Sequence, residues 1–227
     1  SIGDTGVRLE AQSYICTNAP IVIRRGAILT LGSVAQCGKV ISMEPGSRMD
    51  AFSSTTPSNA ADVVILGGVV TNFLRKSTFM NSRGDVSGTG TLVQVILNNP
   101  GGSNIFTGSI SPGIGGAGML TINEQQGVTL LGMPGAPVTL NIEDGDQLEL
   151  LNMDVALDLT NISVKFLTET ALGTTNWFLT CTSNVVNTFN AIAYASGLNG
   201  VVIYQSDRVG AVVVPEPGLM LTGALAL

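Results

Sequence analysis

Apolar residues recur along this chain in short runs rich in Val, Ile, Leu and Thr, separated by Gly, Pro, Asn or Asp. The clearest lie at 21–32, 38–47, 61–70, 90–102, 118–127, 128–142, 176–183, 191–197 and 200–206. Turn residues return roughly every 8–12 positions, a rhythm that predicts strands throughout. No stretch combines a helical period with caps and sufficient length. The expected fold class is all-β.

The sharpest patterning is in LELLNMDVALDLTNISVKF, residues 148–166. Leu148 and Leu150 share one face; past Asn152 the apolar set changes parity to Met153, Val155, Leu157 and Leu159, and past Asn161 it changes again to Ile162, Val164 and Phe166. Side chains on a strand alternate with a period of two, so each parity change requires a corner, bulge or turn. The segment therefore predicts three strands joined at Asn152 and Asn161.

Two architectures accommodate such a string: a β-solenoid whose coils stack on one another, or a β-sandwich or jelly roll. Tight Asn-Gly hairpin turns are scarce, Asn199-Gly200 being the clear one. A strand, a Gly-bearing corner and another strand recur instead, in IRRGAILTLG, EPGSRMDA, LGGVVTN and MPGAPVTLNI. This favours a β-helix-like body. The expected organisation is an extended segment at 1–14, an all-β domain at 15–209 with solenoid repeats at 20–142 and a β cap at 143–209, and an extended tail at 210–227.

Composition narrows the partners. Charged residues are only 11% of the chain, so self-repulsion does not oppose folding. The net charge of −6 argues against nucleic acid. Residues 1–90 carry eight Lys/Arg against six Asp/Glu, whereas residues 91–227 carry two against ten. If the chain winds along one axis, its ends differ in sign.

Chemistry is sparse. With no histidine, the common triads and most zinc sites are absent, and the expectation is a protein that is not an enzyme and needs no cofactor. The turn Asp144-Gly145-Asp146 gathers oxygens that could hold Ca2+, but it lacks EF-hand spacing and reads more simply as a solvated turn. Cys16 and Cys37 flank one turn-and-strand unit and are a candidate disulfide, with small buried hydrophobes as the alternative; Cys181 remains as a third, buried or free. Asn161-Ile162-Ser163 is a formal glycosylation sequon, and Arg83-Gly84-Asp85 a potential adhesion tripeptide or exposed turn. The start at Ser1 suits a mature exported chain.

Two stretches resemble known families. GTGTLVQVILNNPGGSNIFTGSISPGIGGAGMLTI, residues 88–122, looks like the Gly-rich unit of autotransporter passenger domains: Gly88, Gly90, Thr91 and Leu92, then Ser111, Pro112 and Gly113, then Gly118, Leu120, Thr121 and Ile122 match its strand, turn and return strand. VPEPGLMLTGALAL, residues 214–227, resembles the sorting tail of bacterial PEP-CTERM proteins, with Pro215, Glu216 and Pro217 as the motif, although the apolar part is short and no basic cluster follows. The resemblance implies export by a bacterium to the cell surface or an extracellular matrix, often with attached glycans.

A histidine-free stack with unpaired backbone at both ends and unlike end charges suggests a self-assembling filament or matrix subunit, joined head-to-tail by strand addition. Val7 and Leu9 in the first segment, and Val212, Val213 and Val214 in the last, are the candidate contacts. Extracellular polysaccharide is a further candidate partner. A non-polymerising adhesin or carbohydrate-binding protein is the alternative.

Overall fold

Successive apolar runs pair side by side and in the same direction, so the chain coils instead of folding back on itself. The computed structural model describes residues 8–11, 20–31, 40–52, 58–59, 62–75, 79–82, 84–97, 103–113, 115–126, 128–171 and 173–215. These form a β-solenoid. On its first face Ile21–Ile23, Ile41–Met43, the first half of Val63–Arg75, the first half of Val86–Leu97, Ser109–Pro112, Val138–Ile142, Ile162–Phe166 and Ala191–Tyr194 stack in parallel. A second face stacks Arg8–Ala11, Ile28–Leu31, Arg48–Phe52, the second halves of the two long strands, Met119–Gln126, Gln147–Leu151 and Asn176–Cys181. Shorter strands, among them Ser103–Phe106 and Val128–Leu131, line a third.

Period-two patterning explains the core. On the first face Ile21, Ile41, Val63, Val86, Ile110, Leu140 and Val164 lie in register as one interior column, none more than 9% exposed. Burying an aliphatic side chain is worth roughly 1.5–3 kcal/mol, and here each is covered mainly by its equivalents in adjacent coils. The column is therefore one continuous apolar seam of the stack, and Ile23, Met43 and Ile65 form a second beside it.

Corners between the first two faces are four-residue turns closed by hydrogen bonds from Ala27 N–H to the Arg24 carbonyl, Ser47 N–H to Glu44 and Asp146 N–H to Glu143. In Glu44-Pro45-Gly46-Ser47, Pro precedes a Gly at φ +77°, the arrangement a type II turn requires. Two of the four Gly-bearing repeats read from the sequence, IRRGAILTLG and EPGSRMDA, make this corner; in LGGVVTN the chain bends instead by a register shift at Gly67-Gly68 inside the continuous strand Val63–Arg75. The fourth, MPGAPVTLNI, turns the chain from the third face to the first, through a Met133–Ala136 bridge.

Within 148–166 the structure corrects the middle strand. Leu148 and Leu150 are buried, Asn152 turns the chain at φ +57°, and Ile162, Val164 and Phe166 are buried as expected. Between them only Leu157–Asp158 is strand, followed by a 3-10 turn at Leu159–Asn161. Met153, Leu157 and Leu159 point inward, but Val155 bulges out, 41% exposed. Asp158 caps the turn by accepting from Thr160 N–H, local bonding that competes with an extended backbone.

Parallel coiling also runs past residue 142, through Tyr194. Among the described residues only Leu198–Tyr204 and Arg208–Pro215 form an antiparallel hairpin, which closes at Gln205–Arg208 and not at Asn199-Gly200. Gly200 lies within a strand, where a side chain would run into the Val212 carbonyl.

Gly132 and Gly135 test the steric argument, having φ values of +76° and +80° but different surroundings. A Cβ on Gly132 would sit on the Asn161 carbonyl oxygen, whereas one on Gly135 meets nothing within 4 Å. Gly135→Ala is expected to cost about 1–2 kcal/mol, the left-handed backbone penalty alone. Gly132→Ala should cost at least ~2 kcal/mol more, because backbone must move; urea denaturation of both variants measures the gap.

Candidate functional site

The interior column makes the two ends of the solenoid distinguishable. At the first coil, Ile21 and Ile23 are 9% and 0% exposed. At the last, Ile192 continues the column in register with Val164, yet Ile192 is 42% exposed where Val164 is 1%. Its strand, Ala191–Tyr194, pairs with Ile162–Phe166 and with no other among the described residues. On the other faces Val186 and Val201 are also exposed, but Val186 is in register with exposed Asp158 and Val201 with Val212, on the outward parity of their strands. The C-terminal end of the first face is an open, apolar edge.

Beneath it the aliphatic columns give way to aromatics. Phe166 stacks on Tyr194 at 5.4 Å and meets Phe178 edge-on at 5.3 Å; Phe178 contacts Phe189, which contacts Tyr204. Such contacts add about 0.5–1.5 kcal/mol each beyond burial and make the layer under the open end rigid. Arg208 lies 4.4 Å above the Trp177 ring on the hairpin side.

Val212, Val213 and Val214, expected as free contacts, are instead part of the fold. They pair with Val201, Gly200 and Asn199, and Val213 is further held by Thr170, whose hydroxyl accepts from the Val213 N–H and donates to its carbonyl. Backbone groups so engaged cannot be donated to a neighbour. The domain accordingly extends through Pro215, beyond the expected boundary at 209. Leu9 is likewise paired in-chain, in register with Leu29. Val7, Glu216, Pro217, Cys16 and Cys37 lie outside the described residues.

Asp144 and Asp146 hold turns together. Asp146 Oδ1 accepts from Gly118 N–H at 3.1 Å and Oδ2 from Glu143 N–H at 2.8 Å, with the residue 1% exposed. Asp144 Oδ2 accepts from Ala171 N–H. These oxygens stitch one coil to the next. Asn161 closes the 3-10 turn, and the Ser163 hydroxyl of its sequon accepts from Asn190. The Asp85 carboxylate accepts from the Ser109 and Ser111 hydroxyls, which ties Asp85 to the next coil; Arg83 lies outside the described residues. Burial raises the Cys181 thiol above its ordinary pKa, and the thiol donates to the Ser183 carbonyl; this is a packed thiol, not an activated one.

One cluster escaped the sequence reading. Gln94 and Glu124 lie in register inside the second face, 1% and 3% exposed, and Thr129, 1% exposed, donates its backbone N–H to Glu124 Oε2. Glu124 Oε1, both amide atoms of Gln94 and Thr129 Oγ1 are buried without a partner. Parity carried the signal: Gln94 is two positions past inward Leu92, and Glu124 two past inward Ile122.

Burial pushes the Asp146 carboxyl up to about 6, against the lowering effect of its backbone hydrogen bonds. The folded protein thus holds this proton to higher pH than an unfolded chain, where the ordinary value is 3.8. The resulting stabilisation is complete below about 3.8 and lost as pH rises through about 6. Asp146→Asn removes the titration, so the stability difference between wild type and variant, followed by urea midpoints, should change across pH 4 to 6 and level off above about 6.5.

Neither a family model, nor a curated protein, nor a solved structure matches the chain.

Proposed function

We propose that the protein is a structural subunit of an extracellular bacterial filament or matrix, and that copies join by strand addition at the open C-terminal coil. The observation that carries this reading is Ile192. An interior position is 42% exposed because no next coil covers it, beside a strand whose outer backbone edge has no partner among the described residues. A strand from a second copy, laid parallel to Ala191–Tyr194, would extend both the hydrogen-bond ladder and the apolar column.

Two further features support a copy of this chain as the occupant. The half of the chain that builds the open end is acidic, with ten Asp/Glu against two Lys/Arg, while residues 1–90 carry a small excess of positive charge. Contact between unlike ends is heterologous and propagates into a fibre unless its rotation closes a ring. The resemblance to exported PEP-CTERM proteins supports an extracellular setting. The donated strand is not Val212–Val214, which the hairpin uses; it comes from the first-coil end of the neighbour.

Ile192→Asp tests the contact, since the residue is exposed in the monomer and the substitution should leave the thermal melt nearly unchanged. Electron micrographs and sedimentation of purified wild-type protein should show filaments, and the variant should shift to monomer. Dispersed wild-type particles favour the adhesin or carbohydrate-binding alternative and overturn the proposal, as do variant filaments equal to wild type.

A further inference from the structure

The two ends of the second-face sheet match in direction. From Arg8–Ala11 to Asn176–Cys181 every strand of that face runs parallel to its neighbours. Arg208–Pro215 then runs antiparallel, and Leu198–Tyr204 runs antiparallel to it, so two reversals return the last strand to the direction of the first. Both are end strands. Among the described residues Arg8–Ala11 pairs only with Ile28–Leu31, and Leu198–Tyr204 only with Arg208–Pro215.

These are also the outermost described strands of the two main faces. Ile21–Ile23 leads through one corner into Ile28–Leu31, so Arg8–Ala11 lies one strand beyond the first face. At the other end Arg208–Pro215 and Ala191–Tyr194 are each one strand past the coil of Ile162–Phe166 and Asn176–Cys181, and Leu198–Tyr204 is one strand farther out. End-to-end contact brings the two outermost strands together first.

The outer edge of Leu198–Tyr204 is chemically ready for a partner. Thr170 engages both backbone groups of Val213 on the far side of the hairpin, so Gly200, opposite Val213, exchanges no ladder bond with it and aims its N–H and carbonyl outward. There the Gly200 N–H donates to Asn199 Oδ1 at 2.8 Å, a local substitute for a strand. Alternation gives Val202 the same outward backbone. An interior column ends here as well: Leu120, Leu148, Leu179 and Val209 are in register and 0% exposed, while Tyr204, next in line, is 37% exposed.

We propose that Leu198–Tyr204 of one copy pairs in parallel with Arg8–Ala11 of the next, so that the second-face sheet runs unbroken from subunit to subunit; this rests on the filament reading above and names a second junction within it. The occupant is a copy of this chain because the edge calls for an outermost strand of matching direction with an open side, which Arg8–Ala11 is. Charge favours unlike ends: Arg24 and Arg25 are exposed at the first corner, while residues 91–227 carry ten acidic side chains against two basic ones. The first face, set back by one strand at each end, leaves a recess for the strand added at Ala191–Tyr194.

The test uses full-length chains. Val201→Cys, at a position 66% exposed, mixed with Glu10→Cys and a short bis-maleimide, should give chains joined between positions 10 and 201, mapped by peptide mass; neither variant mixed with wild type should give that product. Val202→Pro removes one outward N–H and spares the bonds inside the hairpin, so its thermal melt should stay near wild type while its filaments are lost; Val202→Ala, which keeps the N–H, should retain them. If Val202→Pro fails to fold, the cross-link decides. Wild-type filaments without the 10–201 product, or Val202→Pro filaments equal to wild type, would overturn this junction and leave the filament reading standing. Wild-type protein that forms no filaments would remove both.

Discussion

Each interior side chain of this solenoid is buried by the coils before and after it, and that dependence governs the rest of the structure. Leu140 and Val164 are 0% and 1% exposed, while Ile192, next in the same register, is 42% exposed. In a closed barrel every strand has two neighbours; in a stack the terminal strands have one. Adding a coil moves the problem outward without solving it. The chain can end only by changing the direction of pairing, covering the last coil with other structure, or leaving it for another molecule.

The first two solutions can be assigned to particular residues. On the second face Arg208–Pro215 pairs antiparallel with Asn176–Cys181, and Leu198–Tyr204 pairs with it in turn, so coiling there stops in a hairpin. Thr170 fastens that hairpin by bonding both backbone groups of Val213. Beneath the end, Phe166, Phe178, Phe189, Tyr194 and Tyr204 fill the interior with rings in place of the aliphatic column. On the first face neither device reaches Ile192. The openness at Ile192 is local to the first face.

What could be read from the sequence followed from strict local periodicity. Leu148, Leu150, Ile162, Val164 and Phe166 were legible because one buried face imposes period two, and the corner at Asn152 because a parity change demands one. Val155 was not: Asp158 and Thr160 satisfy each other locally, and that competition with the strand is invisible in a hydrophobic pattern. Asn199-Gly200 misled for a related reason. Its glycine serves close approach to the Val212 carbonyl, not a turn. The polar cluster lay in plain parity but required knowing that Gln94 and Glu124 are in register across thirty residues of chain, a fact set by coil length.

Coil length is itself variable, and this bears on the middle of the stack. Equivalent positions are 20 residues apart at Ile21 and Ile41, but 30 apart at Ile110 and Leu140. The longer coils carry the extended Gly113–Gly118 corner and the Met133–Ala136 turn. They also share the region where the second-face column changes from Leu29 and Met49 to Gln94 and Glu124. Aliphatic side chains in identical coils stack without gaps; a change of circumference disrupts that fit and leaves room for groups that need a partner other than carbon. Past it, Leu140, Val164 and Ile192 continue one aliphatic column, while the neighbouring column changes from Ile142 to Phe166 and Tyr194. The polar interior is thus tied to a local lengthening of the coil, 30 residues between Ile110 and Leu140 and 24 again between Leu140 and Val164, and the aromatic layer is a separate device at the end of the stack.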